Sequence, residues 1–157
     1  MLDNCKSARE RWGGVSDIID RWLQERQDLL VLFCSMSAPK EGLSSEEIEE
    51  QEQNLQRFCQ ILVDYISAGH FEIYEQLIQE GRDFDDQEGL QKAKAHYKEI
   101  DDTTETILDF NDKYQETDDL SAIEKDLSTL GENLATRFEA EDKMIEILHT
   151  AHKDQVA

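Results

Sequence analysis

The chain has 157 residues, of which 37 are acidic and 16 basic, for a formal net charge of −21, and it holds only 7 glycines and 1 proline. That length suits one domain, residues 1–157, with an enclosed core, and scarce turn residues beside abundant Glu, Gln, Leu, Lys and Ala favour long helices over many short strands. So strong a negative field argues against binding nucleic-acid phosphates or anionic lipid headgroups and favours basic protein surfaces, although the same charge serves simple solubility in many proteins.

Trp12, Val15, Ile19, Trp22, Leu29 and Phe33 recur at helical spacing, widened by Ile18 and Leu30. This predicts a first helix ending near Ala38-Pro39, with Gly13-Gly14 as a break or kink near its start. Residues 40–54 carry six glutamates and almost no apolar side chains, a loop leading into a solvated first turn, where Ser44-x-x-Glu47 offers a capping box. From Leu55 a second stripe runs through Phe58, Cys59, Leu62, Ile66, His70, Ile73 and Leu77 to Gly81, with a kink expected at Gly69.

Residues 82–89 read as a turn. Leu90, Ala93, Tyr97, Ile100, Thr104, Ile107 and Leu108 then form a weaker third stripe, and residues 101–119 are heavily acidic. Asp118-Asp119 followed by Ser121-x-x-Glu124 signals the start of a fourth helix, whose stripe is Leu120, Ile123, Leu127, Leu130, Leu134, Phe138, Ile145 and Leu148. Four long amphipathic segments with short connections predict an all-α, up-down-up-down four-helix bundle.

The longest apolar runs fall far short of the roughly 20 residues that span a bilayer. The start, Met1-Leu2-Asp3-Asn4, has neither a basic nor an apolar signal region, so a cytoplasmic protein without membrane contact is expected. Cys5, Cys34 and Cys59 are odd in number and widely spaced, which fits reduced thiols and neither a disulfide framework nor a zinc knuckle.

Helical spacing brings ionisable residues onto the apolar stripes: Arg26 on the first, His70 on the second and Glu141 on the fourth, with Asp64 and Arg137 at the margins. Buried charges must be paired, so these residues form either an internal cluster that fixes register or a polar cavity opening between helices. Di-iron bundles need two Glu-x-x-His pairs and two further glutamates, whereas this chain offers Glu146-x-x-His149 alone and places His149 and His152 near a fraying C-terminus. No metal or other cofactor is expected. Asp64, Ser67 and His70 stand at i, i+3 and i+6, where the end members diverge. With no GxSxG elbow and no Gly-rich phosphate loop, no catalytic residues and no enzyme activity are expected.

The string FCQILVDYISAGHFEIYEQL at residues 58–77, with its LVDY-x-SAGHF core, resembles the Rsd/AlgQ family of sigma-factor regulators. IIDRWLQERQDLL at residues 18–30, ERWGGV at residues 10–15 and RFEAEDKMIEILHTAHK at residues 137–153 extend the resemblance over nearly the whole chain, closer to the AlgQ branch than to the enteric one. Two places depart from the pattern: the acidic segment at residues 39–54, and Lys98, where relatives tend to have a proline.

The resemblance implies an anti-sigma factor that binds the primary, sigma-70 type sigma factor of RNA polymerase, chiefly region four. That would block −35 promoter recognition and docking on the polymerase core, favouring alternative sigma factors. It also implies the binding face: Asp64, Ser67 and His70 as its polar part, Glu75 as a charge partner, and Phe71, Tyr74 and Trp22 as packing contacts or supports. Arg26, Arg137 and Glu141 are expected to pair internally. The rival from another class is a helical bundle that holds a metal or small ligand in an interhelical polar cavity, and an adaptor with several partners is a third reading.

Overall fold

Helix-forming residues carry the chain through long rods, and the computed structural model describes residues 2–36, 42, 44–115, 117 and 119–156. In chain order these form α1 (Leu2–Met36), α2 (Ser45–Ala68), a π-helical turn (Gly69–Ile73), α3 (Tyr74–Asp83), α4 (Gln87–Tyr114), α5 (Ile123–Leu148), a 3-10 turn (Thr150–His152) and α6 (Lys153–Val156). Because α2, the π-turn and α3 run on without interruption, the long rods are four, and they pack as a four-helix bundle. The α4 and α5 rods pack along their lengths, and α1 lies mainly on α2. Among the described residues no helix is long and apolar enough to cross a membrane.

Several expectations about the ends of these rods need correction. The α1 backbone stays helical through Gly13-Gly14, and no close neighbour requires a glycine at either position. Its expected end at Ala38-Pro39 lies outside the described residues. At the start of α2, Ser44 Oγ accepts a hydrogen bond from the Glu47 backbone N at 3.2 Å, and Glu46 and Glu47 face the positive end of the helix. The turn expected over residues 82–89 is shorter: α3 closes at Asp83, Asp85 adopts a left-handed φ of 50°, and Asp86 already caps α4. The rod α4 continues unbroken past Lys98. Ser121 does not cap α5, whose preceding residue is Ala122 with no side-chain capping bond. Asp119 Oδ1 instead accepts from the Ser121 backbone N at 3.0 Å and shapes the connection.

The core is close to the one the stripes describe. Leu29, Phe58, Leu62, Ile100, Ile107, Leu130, Met144 and Leu148 are fully buried. Phe110 and Tyr114 join it, with Phe110 edge-on to Phe58 at 6.1 Å, whereas Leu108 of the third stripe points outward. Cys59 is buried and its thiol is pushed up to about 11 by burial, while Cys34 is exposed. The Cys5 side chain lies outside the described residues.

The expected kink at Gly69 takes the form of the π-turn. Buried positions before it are Phe58, Cys59, Leu62, Tyr65, Ile66 and Gly69, and after it Ile73, Tyr74, Leu77, Glu80 and Gly81. A wider turn adds one residue and moves everything downstream by one helical position. That slip brings Tyr74 into the core and leaves His70 in solvent, which corrects the placement of His70 on the apolar stripe. Gly69 is needed here: a Cβ would sit 3.0 Å from both Trp22 Cζ2 and Tyr74 Oη.

The glycines therefore divide by environment. Nothing lies within 4 Å of a Cβ built on Gly13 or Gly14, so Gly13→Ala and Gly14→Ala should each stabilise by about 0.5–1 kcal/mol. Gly69→Ala should cost about 1–3 kcal/mol by overpacking. Thermal melts of the three variants check this, and a Gly69→Ala protein that melts above the parent would refute the packing account.

Candidate functional site

Glu141 on α5 is 1% exposed, and its carboxylate is the centre of the polar cluster. Tyr65 on α2 donates its hydroxyl to Oε1 at 2.6 Å, and Tyr74, at the start of α3, donates to Oε2. Each tyrosine oxygen in turn accepts from an arginine: Tyr65 from Arg26 Nε at 3.0 Å, Tyr74 from Arg137 Nη2 at 3.2 Å. Arg26 Nη2 also reaches Oε1 at 3.3 Å, and Arg137 Nε stands 3.5 Å from Oε2, a charge contact without hydrogen-bond geometry.

The two arginines are held from outside the carboxylate as well. Arg137 Nη1 donates to Thr104 Oγ1 at 2.9 Å and Thr103 Oγ1 at 3.2 Å on α4. Arg26 Nη1 donates to Asp142 Oδ1 at 2.6 Å, with its guanidinium 4.7 Å over the Phe138 ring. Two cations and two carboxylates thus balance within one network. Burial raises the Glu141 carboxyl pKa, opposed by Arg137, Tyr65, Tyr74 and Arg26. Burial, and then the Glu141 charge, raise Tyr65 and Tyr74, so both hydroxyls remain protonated donors.

Above this network lies the face implied by the family string. Phe71, on the π-turn, is 72% exposed, with the His70 ring edge-on at 4.9 Å. Asp64, His70, Glu72 and Glu75 are exposed, and Ser67 is half-buried. On α1, burial raises the Glu25 carboxyl, and Asp64, Glu72 and Asp28 raise it further, so these carboxylates share one negative field. A shallow groove beside them includes Trp22, Glu25 and Glu72, with Arg21 as its cation.

Of the two roles expected for Trp22 and Tyr74, packing contact or support, burial leaves only the second. Trp22 and Tyr74 are each 2% exposed. Trp22 stacks on Tyr65 at 4.6 Å, donates its indole N–H to the Tyr65 carbonyl at 3.0 Å, and meets Tyr74 edge-on. They support the face and do not present a surface of their own. Sequence reasoning passed over Tyr65, although it sits inside LVDY-x-SAGHF and three residues after Leu62. It also missed that Thr104, the odd polar member of the third stripe, binds an arginine.

A second polar cluster closes the other end of α3. His149 Nδ1 stands 2.7 Å from Glu80 Oε2, and its ring stacks on Trp12 at 4.3 Å, while Trp12 Nε1 donates to the His149 carbonyl at 3.1 Å. His152 Nε2 stands 2.9 Å from Asp86 Oδ2, whose other oxygen accepts from the Gly89 backbone N at 2.8 Å. Both histidines are buried, so the C-terminal segment is docked where fraying was expected. Among the described residues no three His, Cys, Asp or Glu side chains converge as metal ligands would.

These clusters lead to two tests of stability. Glu141→Gln should destabilise by about 3–5 kcal/mol, since it leaves buried Arg137 without its counter-charge. A loss below about 1 kcal/mol in denaturant unfolding would show that the arginines find other partners. Asp86 is held below the usual carboxylate range by the Gly89 N–H and then by His152. A depressed folded pKa contributes stability above the unfolded value and loses it as pH falls through the folded one. Asp86→Ala should therefore cost about 1 kcal/mol near neutrality, with the gap to the parent closing as acid takes the pH through and below the usual carboxylate range. A gap unchanged by acid would refute the assignment.

A sequence profile described as "Regulator of RNA polymerase sigma(70) subunit, Rsd/AlgQ" matches residues 1–149. Proteins named "Regulator of sigma D" are similar over nearly the full length. That of Enterobacter sp. (strain 638) is 36% identical across 100% of this chain and 98% of its own. That of Salmonella paratyphi B is 36% identical across 98% and 95%. That of Yersinia pseudotuberculosis serotype O:1b is 37% identical across 93% and 88%.

Proposed function

The chain belongs to the Rsd/AlgQ family of regulators of the RNA polymerase sigma(70) subunit, and we propose that it acts as an anti-sigma factor by capturing region four of the primary sigma factor on the acidic face around Phe71. The carrying observation is that this large apolar side chain stands 72% exposed on a stretch whose Asp64, Glu72 and Glu75 are exposed as well. Region four is the helix-turn-helix that reads the −35 promoter element, and a surface that binds phosphates is basic. An acidic face steers such a partner in and covers the surface that DNA would use.

Charge sets the rate of encounter, and a desolvated anchor sets how long the complex lasts. Phe71 is that anchor. Asp64 and Glu75 pair with basic side chains of the partner, and Ser67 and His70 offer hydrogen bonds at its edge. Trp22 and Tyr74 act from below by fixing the π-turn, and Arg26, Arg137 and Glu141 fix both of those. The protein works in the cytoplasm, as one domain, by occupying its partner and without catalysis.

Calorimetric titration with the region-four fragment of the primary sigma factor should give one-to-one binding that weakens as salt is raised. Phe71→Ala should weaken it by about 30-fold or more, as for a central anchor. Asp64→Ala, on an exposed charge, should weaken it about two- to fivefold. No binding at either low or moderate salt would sink the region-four reading, and full affinity in folded Phe71→Ala would move the interface elsewhere.

A further inference from the structure

A cleft of about 400 Å³ opens between α3, α4 and α5, its lining starting at Ile78, just after the family string at residues 58–77. Its floor is apolar, built from Ile78, Leu90, Ala93 and Met144, with Tyr97 as one wall. The rim carries Arg82 and Lys94, and no acidic side chain lines it. In a chain with 37 acidic and 16 basic residues this is an unusual composition.

The two cations are also uncommitted. Arg26, Arg137, Lys92, Lys113 and Lys143 pair with carboxylates, whereas Arg82 and Lys94 are exposed and make no ion pair among the described residues. The floor is held firmly. Leu90 closes over Gly81, where an added Cβ would come within 2.6 Å of Leu90 Cδ2 and 3.0 Å of Leu148 Cδ2. Concavity, an apolar floor and a few converging polar groups at this volume are features of small-ligand sites.

We infer that this cleft binds a small amphipathic carboxylate, its apolar body on the Ile78–Leu90–Met144 floor and its carboxylate between Arg82 and Lys94. The guanidinium offers a planar fork to a carboxylate and the ammonium a second charge. A basic partner such as a phosphate-binding helix is repelled by the same rim, although Glu75 and Asp101 act on Tyr97 at the wall, so the inference does not rest on the region-four reading.

The test titrates the full chain with octanoate, and in parallel with octanol as its uncharged counterpart, following backbone amide resonances. Saturable shifts centred on Arg82, Leu90, Lys94 and Tyr97 are expected with octanoate. The double variant Arg82→Gln/Lys94→Gln should weaken octanoate roughly five- to tenfold, the scale of two exposed charge contacts, and leave octanol unchanged. Both side chains are exposed, so the variant should melt with the parent. Absence of saturation at millimolar octanoate, shifts centred elsewhere, or equal octanoate affinity in the double variant would each overturn the proposal. Displacement of octanoate by an acidic amphipathic peptide at lower concentration would overturn it too, making the cleft a protein-docking groove.

Discussion

Every long rod of the bundle is tied to one buried carboxylate. Glu141 on α5 receives the hydroxyls of Tyr65 on α2 and Tyr74 on α3 and faces Arg26 on α1, while Arg137 carries the connection to Thr103 and Thr104 on α4. A charge removed from water is costly unless its lone pairs are satisfied, so these partners have to be in place together. The consequence is register. A one-residue slide of any rod would strand a donor or an acceptor, whereas leucines and isoleucines alone would tolerate it.

The π-turn is where this demand meets the surface. A regular helix through Gly69–Ile73 would carry Tyr74 off the core face by one position, and Glu141 would lose the donor to Oε2. The extra residue brings Tyr74 in, and the widened turn carries Phe71 outward. Gly69 makes this possible by letting Trp22 and the Tyr74 hydroxyl close in where a side chain would stand. The exposed aromatic and the buried carboxylate are thus two results of one local geometry, and Trp22, stacked on Tyr65 beneath the face, joins them. A π-turn gives up regular helical bonding, and the contacts of Trp22 with Tyr65 and Tyr74 hold it in place.

Much of the bundle was legible in the sequence because its core repeats at a nearly constant helical period, and residues such as Leu62, Ile100, Leu127 and Leu134 carry that period plainly. A fixed period cannot register an inserted residue, which is why it puts His70 on the core stripe and leaves Tyr74 out of the core. Trp22 was ambiguous for a different reason: an aromatic ring in a family string looks the same whether it touches a partner or supports the residue that does. Asp64 and Glu75 needed only exposure, and the structure finds them exposed, whereas Glu72, exposed beside them, carried no signal of its own in the sequence. The docking of His149 and His152 escaped notice because their partners, Glu80 and Asp86, lie more than sixty residues away in sequence. The Ser121 capping pattern shows the converse, a local motif overruled when the chain turns through Asp119 instead.

The placement of the few cations gives the charge of this molecule its shape. Arg26 and Arg137 are drawn inward to neutralise Glu141 and Asp142, which removes two of the 16 basic groups from the surface field. Burial raises the Glu25 carboxyl pKa, and Asp64, Glu72 and Asp28 raise it further, so these four carboxylates share one field. Such a field falls off within a Debye length of roughly 8 Å at physiological salt. It therefore governs the approach and orientation of a basic partner more than the strength of the final contact. The strength has to come from area taken out of water, and a Phe side chain already 72% exposed is ready for that without rearrangement of the free protein. On the proposed reading, a network that fixes the π-turn before any partner arrives would favour the complex through preorganisation, without any of its members meeting the partner.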